Sequence, residues 1–490
     1  MSFVSGGPGS RTRPYCVMSG RRPSSVTTSR PRLAALALAL ALALGLSLGL
    51  GLLASVPLAL VGPPRSPDTP ARVAAAAAPS ARRVVLVLVD ALSLGDIDEA
   101  FTPNMWRLVS TGAIGLMNAR TAKTLQDEHT YVTLGAGTRA QGPPETGHAF
   151  NSDEMVEGTS AAVAFARNTR AAAPPPGSVV HPYIALIARA NSDSSYHIVP
   201  GALGEALRLA GKRTAVFGNS DTPGHLGRYA AAIAMDSRGV VGLCDVGHDT
   251  VMRRDDFPGG MVTNIELVAG LVRDAVTAGK ADLVVVESGD TSRVERYLSA
   301  GLLTEAAYER ARRLALSSAD ALIGRLLEFV NLADTALLVL APTPAAKEIA
   351  RGRSLAPVIA AGPVLSAKSG RLLTSPTTRR EGLVVSTDVA ASVLSWLGVV
   401  PPPWILGAPV RAVPHREPLT WLVSMHDEIA STYLMRTPLL KTFVGLQIVV
   451  AFASLALIAF LAARHVSLRH LGTLQGAFGR ALDTHRKSAR

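Results

Sequence analysis

The sequence predicts an α/β fold, with a parallel-rich central sheet, helices on both of its faces, and transmembrane helices flanking the whole. Three observations predict it. Near-continuous apolar runs such as VVLVLVD (84–90) and VVVES (284–288) alternate with helix-like stretches, the pattern of strands buried on both faces. Two long uncharged apolar runs, 33–62 and 442–463, bracket this alternation, and each exceeds the roughly 20 residues that cross a bilayer as a helix. The excess positive charge, +12 over 490 residues, lies mostly outside those runs.

Residues 1–32 form a basic leader with Arg11, Arg13, Arg21, Arg22, Arg30, Arg32 and no acid. Met18 is an alternative start. The run 33–62 is a span or signal anchor, longer than the ~7–15-residue apolar region of a cleaved signal. The small residues of ARVAAAAAPSA (71–81) still offer a peptidase a site. A Pro/Ala linker (63–81), an outer domain (82–410), a juxtamembrane segment (411–441), a second span (442–463) and a basic tail (464–490) follow. The tail sets Arg464, Arg469, Arg480, Arg486, Lys487 and Arg490 against Asp483. Arginine beside both spans puts both termini in the cytoplasm and the domain outside the cell membrane. Cys16 and Cys244 then lie on opposite sides and form no internal disulfide.

Within the domain, RRVVLVLVD (82–90) is a strand, and FTPNMWRLVSTG (101–112) a helix stopped by Gly112. GALGEALRLAG (201–211) is a helix ending at Gly211, and KRTAVFGNSD (212–221) a strand. A helix over 264–280, the strand ADLVVVESGD (281–290), a long amphipathic helix over 304–331 and the strand TALLVLAP (335–342) come next. STDVAASVLSWLG (386–398) closes the domain as a helix with Thr387 as its cap.

Ligands of such sheets bind beyond the carboxyl ends of the strands. Asp90, Asp221 and Asp290 each follow a strand, so together they invite a cation. Taken singly, each reads first as a helix cap. GAGTRA (135–140) is a short Gly-rich turn and weak evidence for a phosphate cradle. The sequence has no Walker lysine pattern, dinucleotide fingerprint, CxxC or HExxH. The domain also lacks a basic run with interleaved aromatics, which excludes nucleic acid as a partner.

Several segments, in order, resemble the alkaline phosphatase superfamily, particularly its phosphodiesterase and cofactor-independent phosphoglycerate mutase branches. They are VVLVLVDALSLGD with FTPNMWRLVSTGAIGLMNAR, KTLQDEHTYVTLGAGTRA, EALRLAGKRTAVFGNSD, ADLVVVESGDTSRVERY, and GLVVSTDVAASVLSWLGVVPPPWILG. The resemblance implies that Asp90 and Asp290 bind metal and that a hydroxyl in 121–124 is the nucleophile, Thr124 being chosen over Thr121. It implies a divalent cation (zinc, manganese or magnesium), which would make such a hydroxyl reactive near neutral pH. The substrate would be an anionic small-molecule or envelope ester of phosphate, phosphonate or sulfate.

Departures from the pattern are specific. Arg296 stands where the superfamily carries a histidine; Ala341 and Pro342 replace the usual acid and histidine; TSPTTRREGLV (374–384) lacks the final histidine. Asp127, Glu128, His129 and Asp221 are further candidates for the site. Arg293 and Arg296 could hold an anion through bidentate contacts in place of a metal. Two functions follow: a divergent metal-dependent hydrolase or transferase, and a domain of the same fold that binds an anion or serves as an envelope scaffold without catalysis.

Overall fold

The computed structural model describes residues 80–365 and 370–487. The leader, the first apolar run and nearly all of the linker lie outside the described residues.

Ten strands build the main sheet: β1 (Arg83–Val89), β2 (Ala113–Asn118), β3 (Thr214–Phe217), β4 (Leu243–Asp245), β5 (Leu283–Ser288), β6 (Thr335–Leu340), β7 (Leu355–Ala361), β8 (Arg371–Thr374), β9 (Leu383–Val385) and β10 (Arg411–Pro414). Their spatial order is β10-β8-β2-β7-β6-β1-β5-β3-β4, with β9 paired to β2. From β6 through β1, β5 and β3 to β4 every pairing is parallel. The pairings of β7 with β6 and β2, and of β8 with β10, are antiparallel. The expected parallel-rich sheet is therefore present.

β1 shows why its sequence is a strand. All seven residues are buried, and they alternate between two cores: Val84, Leu86 and Leu88 join one hydrophobic cluster, Val85, Val87 and Val89 the other. Period-two alternation in an unbroken apolar run is what a strand covered on both faces requires. The helices that provide the cover include α1 (Pro103–Thr111), α2 (Asp127–Ala136), α3 (Ile265–Thr277), α4 (Asp290–Ser299), α5 (Glu305–Leu327) and α6 (Thr387–Trp396). α1 does end at Gly112, and the α3 cap is the Asn264 side chain, which accepts from the Leu267 N–H. The cap of α6 is Ser386, not Thr387, which is already the first helical residue.

The Gly-rich turn is also placed differently from its sequence reading. Gly135 lies inside α2, where a Cβ would sit 2.2 Å from the Ala232 carbonyl oxygen. Gly137 is the left-handed carboxyl cap, with φ 61°. These glycines serve close packing and helix termination. They stand at the opposite end of α2 from its free N–H groups and so cradle no phosphate.

A last helix, α7 (Pro418–Lys487), carries the second apolar run. Its section Pro418–Arg464 has a most apolar window of mean hydropathy 2.5, none of it buried, long enough to cross a membrane. Residues 71–438 form one compact unit, while 439–487 belong to another. Within the first unit, Leu422, His426 and Ala430 of α7 are buried. They stand one turn apart on a single face.

Candidate functional site

The adjacent strands β1, β5 and β6 end on one rim, so the residues that follow them are neighbours. Asp90, directly after β1, is buried to 4 % exposure. Its Oδ1 accepts the Thr343 backbone N–H at 2.7 Å and also the Thr343 hydroxyl. Its Oδ2 lies 3.4 Å from the Ser292 hydroxyl. The same Thr343 Oγ1 is 2.9 Å from Oδ1 of Asp127, the first residue of α2. One hydroxyl thus links the two carboxyls. Burial, then the Asp127 charge, push the Asp90 carboxyl well above the usual range, while the Thr343 hydrogen bonds oppose the shift. Asp90 caps no helix here; it faces the rim.

Asp127 faces Arg296 across 3.7 Å from Nη2 to Oδ2, with both side chains about a quarter exposed, 28 % and 25 %. Arg296 also lies beside Tyr229, whose hydroxyl is 3.1 Å from His225 Nε2. Burial pushes the Tyr229 hydroxyl up to about 12, against the pull of Arg296. Burial also lowers His225, and the Arg296 charge lowers it further. Tyr131, 5.6 Å from Tyr229 between ring centres, points its hydroxyl at Glu287 Oε1 at 3.4 Å.

The segment from the end of β5 into α4 carries an accumulation of unmet polarity. Glu287 Oε2, Ser288 Oγ, Thr291 Oγ1 and Arg296 Nε are all buried and without a hydrogen-bond partner. Buried polar groups are nearly always paired, by protein, water or ligand. Four such atoms lie within ten residues, from Glu287 to Arg296.

Glu287 gives a testable consequence. Burial pushes its carboxyl from 4.5 up to about 8, with Ser220 and Arg293 opposing. The folded value lies above the unfolded one, so the folded state keeps a proton that the unfolded state releases once pH passes the ordinary glutamate range. Stability then falls as pH rises between those two values and levels off above them. Glu287→Gln should flatten that slope, read as the urea midpoint of the outer domain from pH 5 to pH 9. Asp90, also raised by burial, keeps its own share of the slope, so a slope of undiminished size in the variant would assign the effect away from Glu287.

The other sequence-predicted residues have different partners. Asp290 opens α4, but its carboxylate is fully buried and taken: Oδ1 accepts from the Thr263 N–H, the Thr263 hydroxyl and Arg293 Nη1, and Oδ2 from the Ser318 hydroxyl at 2.6 Å. It shares no hydrogen-bond partner with Asp90. Arg293 is fully buried, and its remaining donors reach the Asp221 and Asn219 carbonyls and Asn219 Oδ1. Both residues are internal struts. The Asp221 carboxylate is held by the Gly227 N–H and Arg228 Nε. Thr124, three residues before α2 starts, is exposed and donates to Gln126 Oε1, while Gln126 is the N-cap position. His129 Nδ1 accepts the Gly142 N–H at 3.0 Å, so the ring holds a loop, and burial lowers its basicity. Glu128 is half-buried beside it.

The donor set does not fit a two-cation centre. Among the described residues, no group of three or more His, Cys, Asp or Glu is gathered as a metal ion needs. The Asp90 and Asp127 carboxyls are joined through Thr343, and guanidinium groups occupy the flanks of Asp127 and Asp290. Sequence reasoning missed Thr343, Tyr131, Tyr229 and Glu287. Two signals were available: an acid within the apolar VVVES, and a hydroxyl two residues past LLVLA.

No family profile matches the chain, and no curated protein does. Among solved structures, it is similar to an alkaline phosphatase superfamily protein from Vibrio parahaemolyticus (TM-score 0.40, 11 % identity, covering 67 % of this chain and 69 % of that one). It is similar also to the lipoteichoic acid synthase LtaP from Listeria monocytogenes (TM-score 0.36, 10 % identity, 66 % and 73 %). A third is the alkaline phosphatase of the Antarctic bacterium TAB5 (TM-score 0.36, 11 % identity, 65 % and 98 %). A mutant of the TAB5 enzyme holds magnesium. At these TM-scores the likenesses assign neither a residue nor a reaction.

Proposed function

We propose that residues 82–410 are the extracytoplasmic domain of a membrane-anchored protein of alkaline phosphatase type, and that its rim binds a phosphate, phosphonate or sulfate group without a metal. The observation that carries this reading is the set of unpaired buried polar atoms from Glu287 to Arg296. Arg296 supplies the positive charge, at the position where the resemblance calls for a metal-binding histidine. Guanidinium groups recognise such oxyanions by charge and by paired N–H donors. The Tyr229 and Ser288 hydroxyls and the nearby start of α2 offer neutral donors. The anchors are the apolar run 33–62 and α7, with the membrane bilayer as their partner, both termini cytoplasmic and the domain outside the cell.

The test is calorimetric titration of the purified outer domain with inorganic phosphate and with sulfate, in buffer containing a chelator. Binding should persist without metal. Binding that appears only after zinc, manganese or magnesium is added would overturn the metal-free site and restore the hydrolase reading.

That second reading has one observation in its favour. The Thr343 hydroxyl, held between the Asp90 and Asp127 carboxyls, is a hydroxyl beside a base. Turnover of generic phosphate or sulfate esters that is lost in Thr343→Val would establish it.

A further inference from the structure

We propose that the end of α7, beyond the apolar span, is an amphipathic anchor lying on an anionic membrane leaflet. The proposal rests on the reading of 442–463 as a span. α7 stays helical to Lys487, well past Arg464, where its apolar section ends. Leu474, Phe478 and Leu482 follow one another at four-residue intervals, so they share one face of the helix. They are 68 %, 74 % and 62 % exposed. Removing such apolar surface from water is favourable by about 25 cal/mol per Å².

The other face has a different chemistry. Arg480 and Lys487, seven residues apart, lie on the side away from Phe478. Asp483, the single acid between 472 and 487, shares this side, while Arg486, four residues after Leu482, ends the apolar strip with a cation. Leucine and phenylalanine on one face with cations on the other is the composition of helices that settle into the headgroup region of anionic bilayers. Each cation close to such a surface adds to the attraction.

Covalent continuity adds to this complementarity. At ~1.5 Å per helical residue the strip begins only about 16 Å from the end of the span, so the chain itself delivers it to the lipid surface. A second copy of the chain is a poorer occupant. The strip is about two turns long, short of the three to four heptads of a stable coiled coil, and Gly472, Gly476 and Gly479 interrupt it. For the strip to lie flat, the helix must bend after the span, and Gly472 is placed where bending costs least.

The experiment uses the full chain with Cys16→Ser and Cys244→Ser, carrying either Ala481→Cys or Ala456→Cys labelled with an environment-sensitive fluorophore. Each is reconstituted into vesicles of phosphatidylcholine alone or mixed with phosphatidylglycerol. The Ala456 label should be quenched by brominated lipid in both vesicles, which verifies the span itself. The Ala481 label should be quenched several-fold more in the anionic vesicles. Adding Arg480→Glu, Arg486→Glu and Lys487→Glu should remove that difference. With Ala456 quenched, a water-like Ala481 signal in both vesicles overturns the anchor, as does disulfide pairing of Ala481→Cys between copies without lipid quenching. If Ala456 itself is not quenched, the span reading has failed instead.

Discussion

Replacing Arg293 with methionine is expected to destabilise the outer domain by about 3–5 kcal/mol, the cost of stranding a buried charge. Arg293 is among the largest fully buried side chains described, at 0 % exposure. Its Nη1 meets Asp290 Oδ1 at 2.7 Å, Nε meets the Asp221 carbonyl at 2.8 Å, and Nη2 meets the Asn219 carbonyl at 2.9 Å. Removing it strips a cation from a carboxylate that no water reaches, and it also orphans two carbonyls behind the rim. The thioether fills part of the volume but donates nothing. Asp290→Asn alone should be costly for the converse reason, and the double variant Arg293→Met/Asp290→Leu should regain part of the loss, because neither charge is then buried alone. Urea unfolding followed by circular dichroism gives all three values. If Asp290→Asn left stability within ~0.5 kcal/mol of wild type and instead lowered bound metal, Asp290 would be a ligand and the strut reading would be wrong.

The difference between what the sequence disclosed and what it concealed has a physical basis. β1 and β5 were legible because a strand buried on both faces reads as a short, near-continuous apolar run between turn signals. β2, β7 and β8 were not. β2 (AIGLMN) contains Gly115 and β7 (LAPVIAA) contains Pro357 and three alanines, and neither gives a clear period. Both are fixed as strands by antiparallel pairing with partners far away in sequence. The rim acids were legible by position but not by role. Asp90 and Asp290 follow adjacent parallel strands and look equivalent in sequence. One meets a threonine from the next strand and the other a buried arginine, contacts made over long sequence separations or set by packing. Thr124 precedes α2, which starts at Asp127, and its hydroxyl donates to Gln126 Oε1, a contact the sequence does not disclose.

Arg296→Ala is expected to weaken binding of phosphate or sulfate about 10- to 100-fold while leaving the fold intact. Removing a hydrogen-bonding partner of a charged group costs ~1.5–3 kcal/mol, and every 1.4 kcal/mol is about tenfold in affinity. The fold should survive because the Arg296 side chain is 28 % exposed and its approach to Asp127, at 3.7 Å, is long. Water can take its place beside Asp127. Arg296→Lys should recover only part of the affinity, since the point charge remains but the planar fork is lost. Thr124→Ala serves as the control. Its hydroxyl is exposed and engaged with Gln126, so its removal should change affinity by less than about twofold, within the ±0.5 kcal/mol of ordinary surface substitutions. The same titration reads all three variants. Undiminished binding in Arg296→Ala would move the anion away from the rim, and a large loss in Thr124→Ala would return the hydroxyl before α2 to the centre of the site.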